Sequence, residues 1–179
     1  MKRIGCKTLI FLALTAALAC WGNDLFRFES VGARFGFPAY DGGETFLQAE
    51  AFVDFDLPWH WRTPSQNWIA DTKLDFSAGS LADGSHFGFI GTAGPILTLK
   101  RKNFPVALDF GFSPTILSED RYPSTSFGTP LQFTSHAGLL WDVTKHLQVG
   151  YRIQHMSNGH LASPNPGLNL QMFTVGYRF

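Results

Sequence analysis

The stretch YRIQHMSNGHLASPNPGLNLQMFTVGYRF, running from Tyr151 to Phe179, decides the fold. Outward from Tyr151, every second residue gives Tyr151, Ile153, His155 and Ser157. Backward from the C-terminal end, the same count gives Phe179, Tyr177, Val175, Phe173, Gln171 and Asn169. Alternate side chains share one face of a strand. The pattern therefore predicts a hairpin whose one face is apolar along most of its length and carries His, Ser and Asn near the connecting segment. Arg152, Gln154, Thr174 and Arg178 fall on the other face. A nucleophile and a base on an apolar face point to chemistry done on a lipid.

The same alternation recurs upstream. Leu47, Ala49, Ala51, Val53 and Phe55 oppose Gln48, Glu50 and Asp54. Leu74 and Phe76 oppose Lys73 and Asp75, and Phe133, Ala137, Leu139 and Trp141 oppose Gln132, Thr134 and His136. Eight strands are expected, near Phe26–Phe37, Thr45–Phe55, Ile69–Gly79, Phe87–Leu99, Val106–Thr115, Leu131–Val143, Leu147–Ser157 and Leu168–Phe179. In the first of them Phe26 and Phe28 lie out of phase with Phe35 and Phe37.

A soluble sandwich or lipocalin-like binder would hide the apolar faces inside, whereas a membrane barrel turns them toward lipid and keeps the polar faces in its lumen. The polar faces carry charges of both signs, as an ion-paired lumen would, and the chain ends on an alternating aromatic strand. That ending resembles the insertion signal of outer-membrane barrels and implies the barrel-assembly machinery as a partner. The fold expected is all-β, an eight-stranded antiparallel transmembrane β-barrel over residues 20–179, eight being the smallest common closed barrel. Its short polar turns, Lys100-Arg101-Lys102-Asn103 and Thr144-Lys145-His146, fit the periplasmic side. The long Ser118–Thr129 segment fits the outside, and Leu57–Gln66 reads as a longer periplasmic turn with Trp59, Trp61 and Trp68 at the interface.

Composition agrees. Phenylalanine and glycine each occur 18 times, charged residues make up only 16%, and Lys plus Arg equals Asp plus Glu at 14 each. Without a basic stripe, nucleic acid is not an expected partner. Residues 1–19 read as an export signal, with Lys2, Arg3 and Lys7, an apolar run from Leu9 to Leu18, and a small-x-small site at Ala17-Leu18-Ala19. Cys20 follows directly, so lipid attachment there is an open alternative; Cys6 leaves with the leader, and no internal disulfide is available to the mature chain. His60, His86, His136 and His146 show no ligand spacing, so neither a metal nor a cofactor is expected.

A serine hydroxyl needs a base to take its proton, and a third group normally orients the imidazole. His155 and Ser157 supply the first two on one face, and Asn169, at the start of the last strand, is in reach to supply the third. Asp142 is excluded, because its parity points into the lumen at the opposite rim. The alternative is a plain rim His and Ser hydrogen-bonded to water.

The segment HMSNGHLASPNPGLN, His155 to Asn169, resembles the lipid A 3-O-deacylase family of outer-membrane barrels, which pairs an H-x-S-N segment with a downstream PN-x-G stretch. GTAGP at Gly91–Pro95 and LQFTSHAGL at Leu131–Leu139 are similar to it as well. The resemblance implies an outer-membrane serine esterase that removes the 3-O-linked hydroxyacyl chain of the lipid A of lipopolysaccharide. It implies Ser157 as nucleophile, His155 as base and Asn158 at the oxyanion, with His160, Asn165 and Gly167 as substrate-binding positions. Two departures stand out: Asn169 occupies the place of a family Glu, and Gly159-His160 that of Ala-Gly. Glu119 and Asp120 are then candidates, by location, for a missing carboxylate, and His160 for a contact to a lipid phosphate. Pro164-Asn165-Pro166-Gly167 reads either as a plain turn or as a site-shaping loop. A homodimer is admitted as a further association, and a non-catalytic structural barrel is the rival reading.

Overall fold

The computed structural model describes residues 26–40, 45–65 and 67–179. The expected export signal and the Cys20 attachment site lie outside the described residues. Eight strands form the fold: β1 (Arg27–Pro38), β2 (Phe46–Arg62), β3 (Trp68–Asp83), β4 (His86–Arg101), β5 (Val106–Leu117), β6 (Leu131–Asp142), β7 (Leu147–Ser157) and β8 (Leu168–Arg178). Each pairs antiparallel with the next, and β1 pairs with β8, which closes the barrel. Closure removes every free sheet edge, the condition for a sheet to stand in hydrocarbon. The start of β1 and the end of β8 lie at the rim that holds the 102–105 and 143–146 turns, where Phe179 N–H donates to Glu29 O and Arg178 N–H to His146 O.

The face assignments follow the period of two. Phe35, Phe76, Phe112, Leu139, Tyr151 and Val175 are all exposed on the outer wall. An apolar exterior of this extent is the signature of a lipid-facing barrel. Inside, Arg34 reaches Asp75 at 2.6 Å and Glu50 at 3.3 Å, and Arg152 reaches Glu50 at 3.2 Å. The Arg34 guanidinium also lies 3.8 Å over the Phe52 ring. The space left among Arg34, Asp54, Asp109 and Arg152 is about 20 Å³, room for a single water, so the middle of the lumen is packed and not a pore.

Three sequence expectations need correction. The phase conflict in the first strand is resolved by a bulge: the β1–β2 register shifts between Phe28 and Ser30, and Phe28 packs on Phe55 and Phe179. The expected turn over Leu57–Gln66 is mostly strand. After an irregularity between Asp56 and His60, β2 continues pairing with β3 through Arg62↔Ile69, which leaves Trp59, Trp61 and Trp68 exposed on the extended hairpin.

Nor is the lumen polar throughout. Its outer half holds an apolar cluster of Phe46, Leu81, Ile90, Leu117, Met156, Leu168, Leu170 and Met172, capped by Tyr122 and Phe127 from the β5–β6 segment. That segment folds over the mouth because Asp83 clasps it, accepting from Ser124 N–H at 2.8 Å and from Thr45 Oγ1 at 2.6 Å. Burial pushes the Tyr122 phenol up to about 12, so it caps the cluster as a neutral group at every physiological pH.

Candidate active site

His155, Ser157 and Asn169 stand together on the outer wall near the mouth. In β7, Arg152, Gln154 and Met156 are buried in the lumen, while Tyr151, Ile153 and His155 are exposed outward. Ser157 continues that outward row and is half-buried. The β7–β8 register sets His155 directly opposite Asn169, close enough for side chains to meet across the ladder. His155 Nδ1 and Asn169 Oδ1 are 2.8 Å apart. An amide oxygen only accepts, so in the neutral imidazole Nδ1 carries the proton and the lone pair is on Nε2. That tautomer is the one a general base needs. Among the described residues no hydrogen bond joins Ser157 Oγ to His155; the two are neighbours on one strand face, unbonded in this state.

The segment between β7 and β8 holds the remaining predicted positions. Asn158 is fully buried, and its Nδ2 donates to Phe127 O at 2.9 Å, Ala162 O at 3.1 Å and Pro164 O at 2.9 Å. Its own N–H donates to Asn165 Oδ1 at 2.9 Å. In this structure the Asn158 side chain points inward and its donors are engaged there, not presented on the outer wall. It clasps the site loop to the β5–β6 cap instead. Asn165 is half-buried, with Oδ1 fixed by Asn158 and Nδ2 3.4 Å from His160 Nδ1. His160 is exposed and holds φ 66°, directly after Gly159 at φ 61°. The left-handed region costs a residue with a Cβ roughly 1–2 kcal/mol, so His160 sits strained where glycine would not.

Gly167 lies against the His155 ring. Glu119 does not approach the site. It packs against Gly88 of β4, which the strand order puts across the barrel from β8, because Ser118 is tied to Phe89 through Ser118 N–H to Phe89 O and Phe89 N–H to Ser118 Oγ. The Asp120 backbone carbonyl accepts from Phe127 N–H within the cap, and among the described residues the hydrogen-bond partner at His155 Nδ1 is Asn169 and neither acid. Asp142 sits at the opposite rim, paired with Arg178 at 2.9 Å. One group escaped sequence reasoning: Ser135 of β6 is directly opposite His155, and Phe133 directly opposite Ser157. Only the interstrand register puts that second hydroxyl beside the imidazole. Among the described residues no cluster of three metal-ligating side chains exists.

Residues 47–178 match the family described as lipid A 3-O-deacylase (PagL). A relative named lipid A deacylase PagL, from Bordetella bronchiseptica, is 32% identical over 72 residues, a stretch that spans 40% of either protein. The crystal structure of the outer membrane enzyme PagL superposes with a TM-score of 0.67 at 18% identity, covering 84% of this chain and 98% of that one. At that identity the superposition speaks for the fold alone, an eight-stranded outer-membrane barrel.

Proposed function

Because the chain belongs to the lipid A 3-O-deacylase family, we propose that it is an outer-membrane ester hydrolase that removes the 3-O-linked hydroxyacyl chain from lipid A. The observation that carries this reading is the 2.8 Å contact between His155 Nδ1 and Asn169 Oδ1 on the lipid-facing wall. A base-competent imidazole turned toward hydrocarbon, beside a serine, suits an amphiphile held in the outer leaflet and no soluble substrate.

The chemistry proceeds by acyl transfer. Ser157 Oγ attacks the ester carbonyl as His155 Nε2 takes its proton, and the carbonyl oxygen becomes an oxyanion. When that intermediate collapses, the bond to the sugar oxygen breaks, and His155 returns the proton to the departing alcohol. Water, deprotonated by the same imidazole, then releases the hydroxy fatty acid and restores Ser157. The oxyanion needs a donor aimed at it. Asn165 is a better candidate than Asn158, since the bond from Asn158 N–H fixes its oxygen, and Nδ2, 3.4 Å from His160 Nδ1, retains a second N–H to donate.

Mass spectrometry of lipid A from cells expressing the chain tests the reading. The expected spectrum shows loss of one hydroxyacyl group; unchanged lipid A, with the folded barrel present in the outer membrane, would leave a structural barrel as the better account.

Asn169 makes a second, graded prediction. Asn169→Glu keeps the acceptor and adds charge that stabilises the imidazolium formed in the transition state. It is expected to raise kcat by roughly 10- to 100-fold, in line with the greater strength of charge-assisted hydrogen bonds. Asn169→Ala frees the imidazole and is expected to lower kcat about tenfold or more. Equal rates for Asn, Glu and Ala in a purified micellar assay would remove Asn169 from the mechanism.

A further inference from the structure

Resting on the hydrolase reading above, we infer that Gly167 is a positioning residue whose missing side chain sets the plane of the His155 imidazole and aims Nε2 at Ser157. A Cβ built on Gly167 would stand 2.7 Å from His155 Cε1, 3.4 Å from Nδ1 and 3.6 Å from Nε2. The first distance is well inside van der Waals contact, and the ring atom concerned lies between the two nitrogens that carry the chemistry. Gly167 is not among the glycines held at positive φ, which among the described residues are Gly84, Gly128 and Gly159. Its backbone conformation is thus open to any L residue, and the turn itself does not require glycine there. What requires it is the imidazole.

Two contacts then define the ring. Asn169 Oδ1 holds the Nδ1 edge at 2.8 Å, while the Cε1 edge occupies the space that a Cβ at position 167 would need. Together they leave the ring one plane in which the tautomer set by Asn169 also faces the serine. A methyl group at 167 pushes Cε1 away, which either lengthens the bond to Asn169 or swings Nε2 off the Ser157 side. A misplacement of about 1 Å in a catalytic group costs on the order of 100-fold. Glycine has no side chain to lend to substrate binding, so affinity is expected to change little.

Gly167→Ala, in the purified full-length barrel, tests this in two independent ways. With lipid A in mixed micelles, kcat is expected to fall roughly 30- to 100-fold with KM within a factor of about two. On an Asn169→Ala background the same change is expected to cost less than about threefold, since both act through one ring and cease to be additive. The second readout needs no turnover: nitrogen-15 histidine NMR should show the His155 ring resonances shifted and those of His60, His86, His136 and His146 unmoved. Unshifted His155 resonances overturn the inference, as does wild-type kcat, a rise in KM alone, or a loss fully additive with Asn169→Ala. If the wild type leaves lipid A intact while the His155 resonances still move, the hydrolase reading fails and the steric relation of Gly167 to the ring stands. Heat-modifiable migration, unchanged from wild type, verifies that the variant is folded.

Discussion

Ser157→Ala is expected to reduce deacylation of lipid A to background, a loss of roughly 10⁴- to 10⁶-fold in kcat, while the barrel folds as before. The size of the effect follows from what remains. Without the hydroxyl no acyl-enzyme forms, and His155 can at best activate water in a position shaped for a serine. The hydroxyl is half-buried at the end of β7, opposite Phe133, and forms no hydrogen bond to His155 in this state. Its removal therefore costs little stability, and heat-modifiable migration should match wild type. Detergent-purified protein assayed on lipid A by mass spectrometry separates the two effects. Retained deacylation in Ser157→Ala would shift the nucleophile elsewhere, and Ser135, opposite His155 on β6, would be the next hydroxyl to replace.

The second large effect concerns folding. Arg34→Met is expected to destabilise the barrel by about 3–5 kcal/mol, the cost typical of breaking a buried ion pair from one side. Arg34 is 3% exposed and faces Glu50, Asp54 and Asp75 at once. Taking it away leaves three carboxylates in a closed space with Arg152 as the guanidinium still in contact with Glu50. Methionine fills a similar volume, so a cavity is not the cause. Arg27→Met is the control: its pair with Asp56 is 2.7 Å long but 79% exposed on the arginine side, and such pairs contribute about 0–1 kcal/mol. Urea midpoints of the two variants, read by gel migration of the folded form, should differ clearly. Equal midpoints would mean that the lumen network is solvated and does not hold the fold.

The residues of the site divide by how far their geometry depends on chain neighbours. The two-residue period puts His155 and Ser157 on one face, because in a strand the direction of each side chain follows from its parity, and the charges of both signs on the opposite faces turn that face outward. Asn169 was brought into reach by the length of a single hairpin. The inward Asp142 and the charged lumen followed from the same rule. Each of these facts is local, or nearly so, and a sequence carries local facts in plain order.

The sequence by itself thus determined a closed eight-stranded barrel, the faces of its strands, and the His–Ser–Asn row. The tertiary structure alone decided the rest: the apolar cap of Tyr122 and Phe127 over the mouth, the inward turn of Asn158, the removal of Glu119 to the far wall, and Ser135 beside the imidazole. It also decided that the empty side of Gly167 belongs to His155. Those contacts join residues from different strands and loops, and they depend on the register between strands and on how each loop is anchored. Parity along one strand tells which way a side chain points, and only the closed sheet tells what it meets.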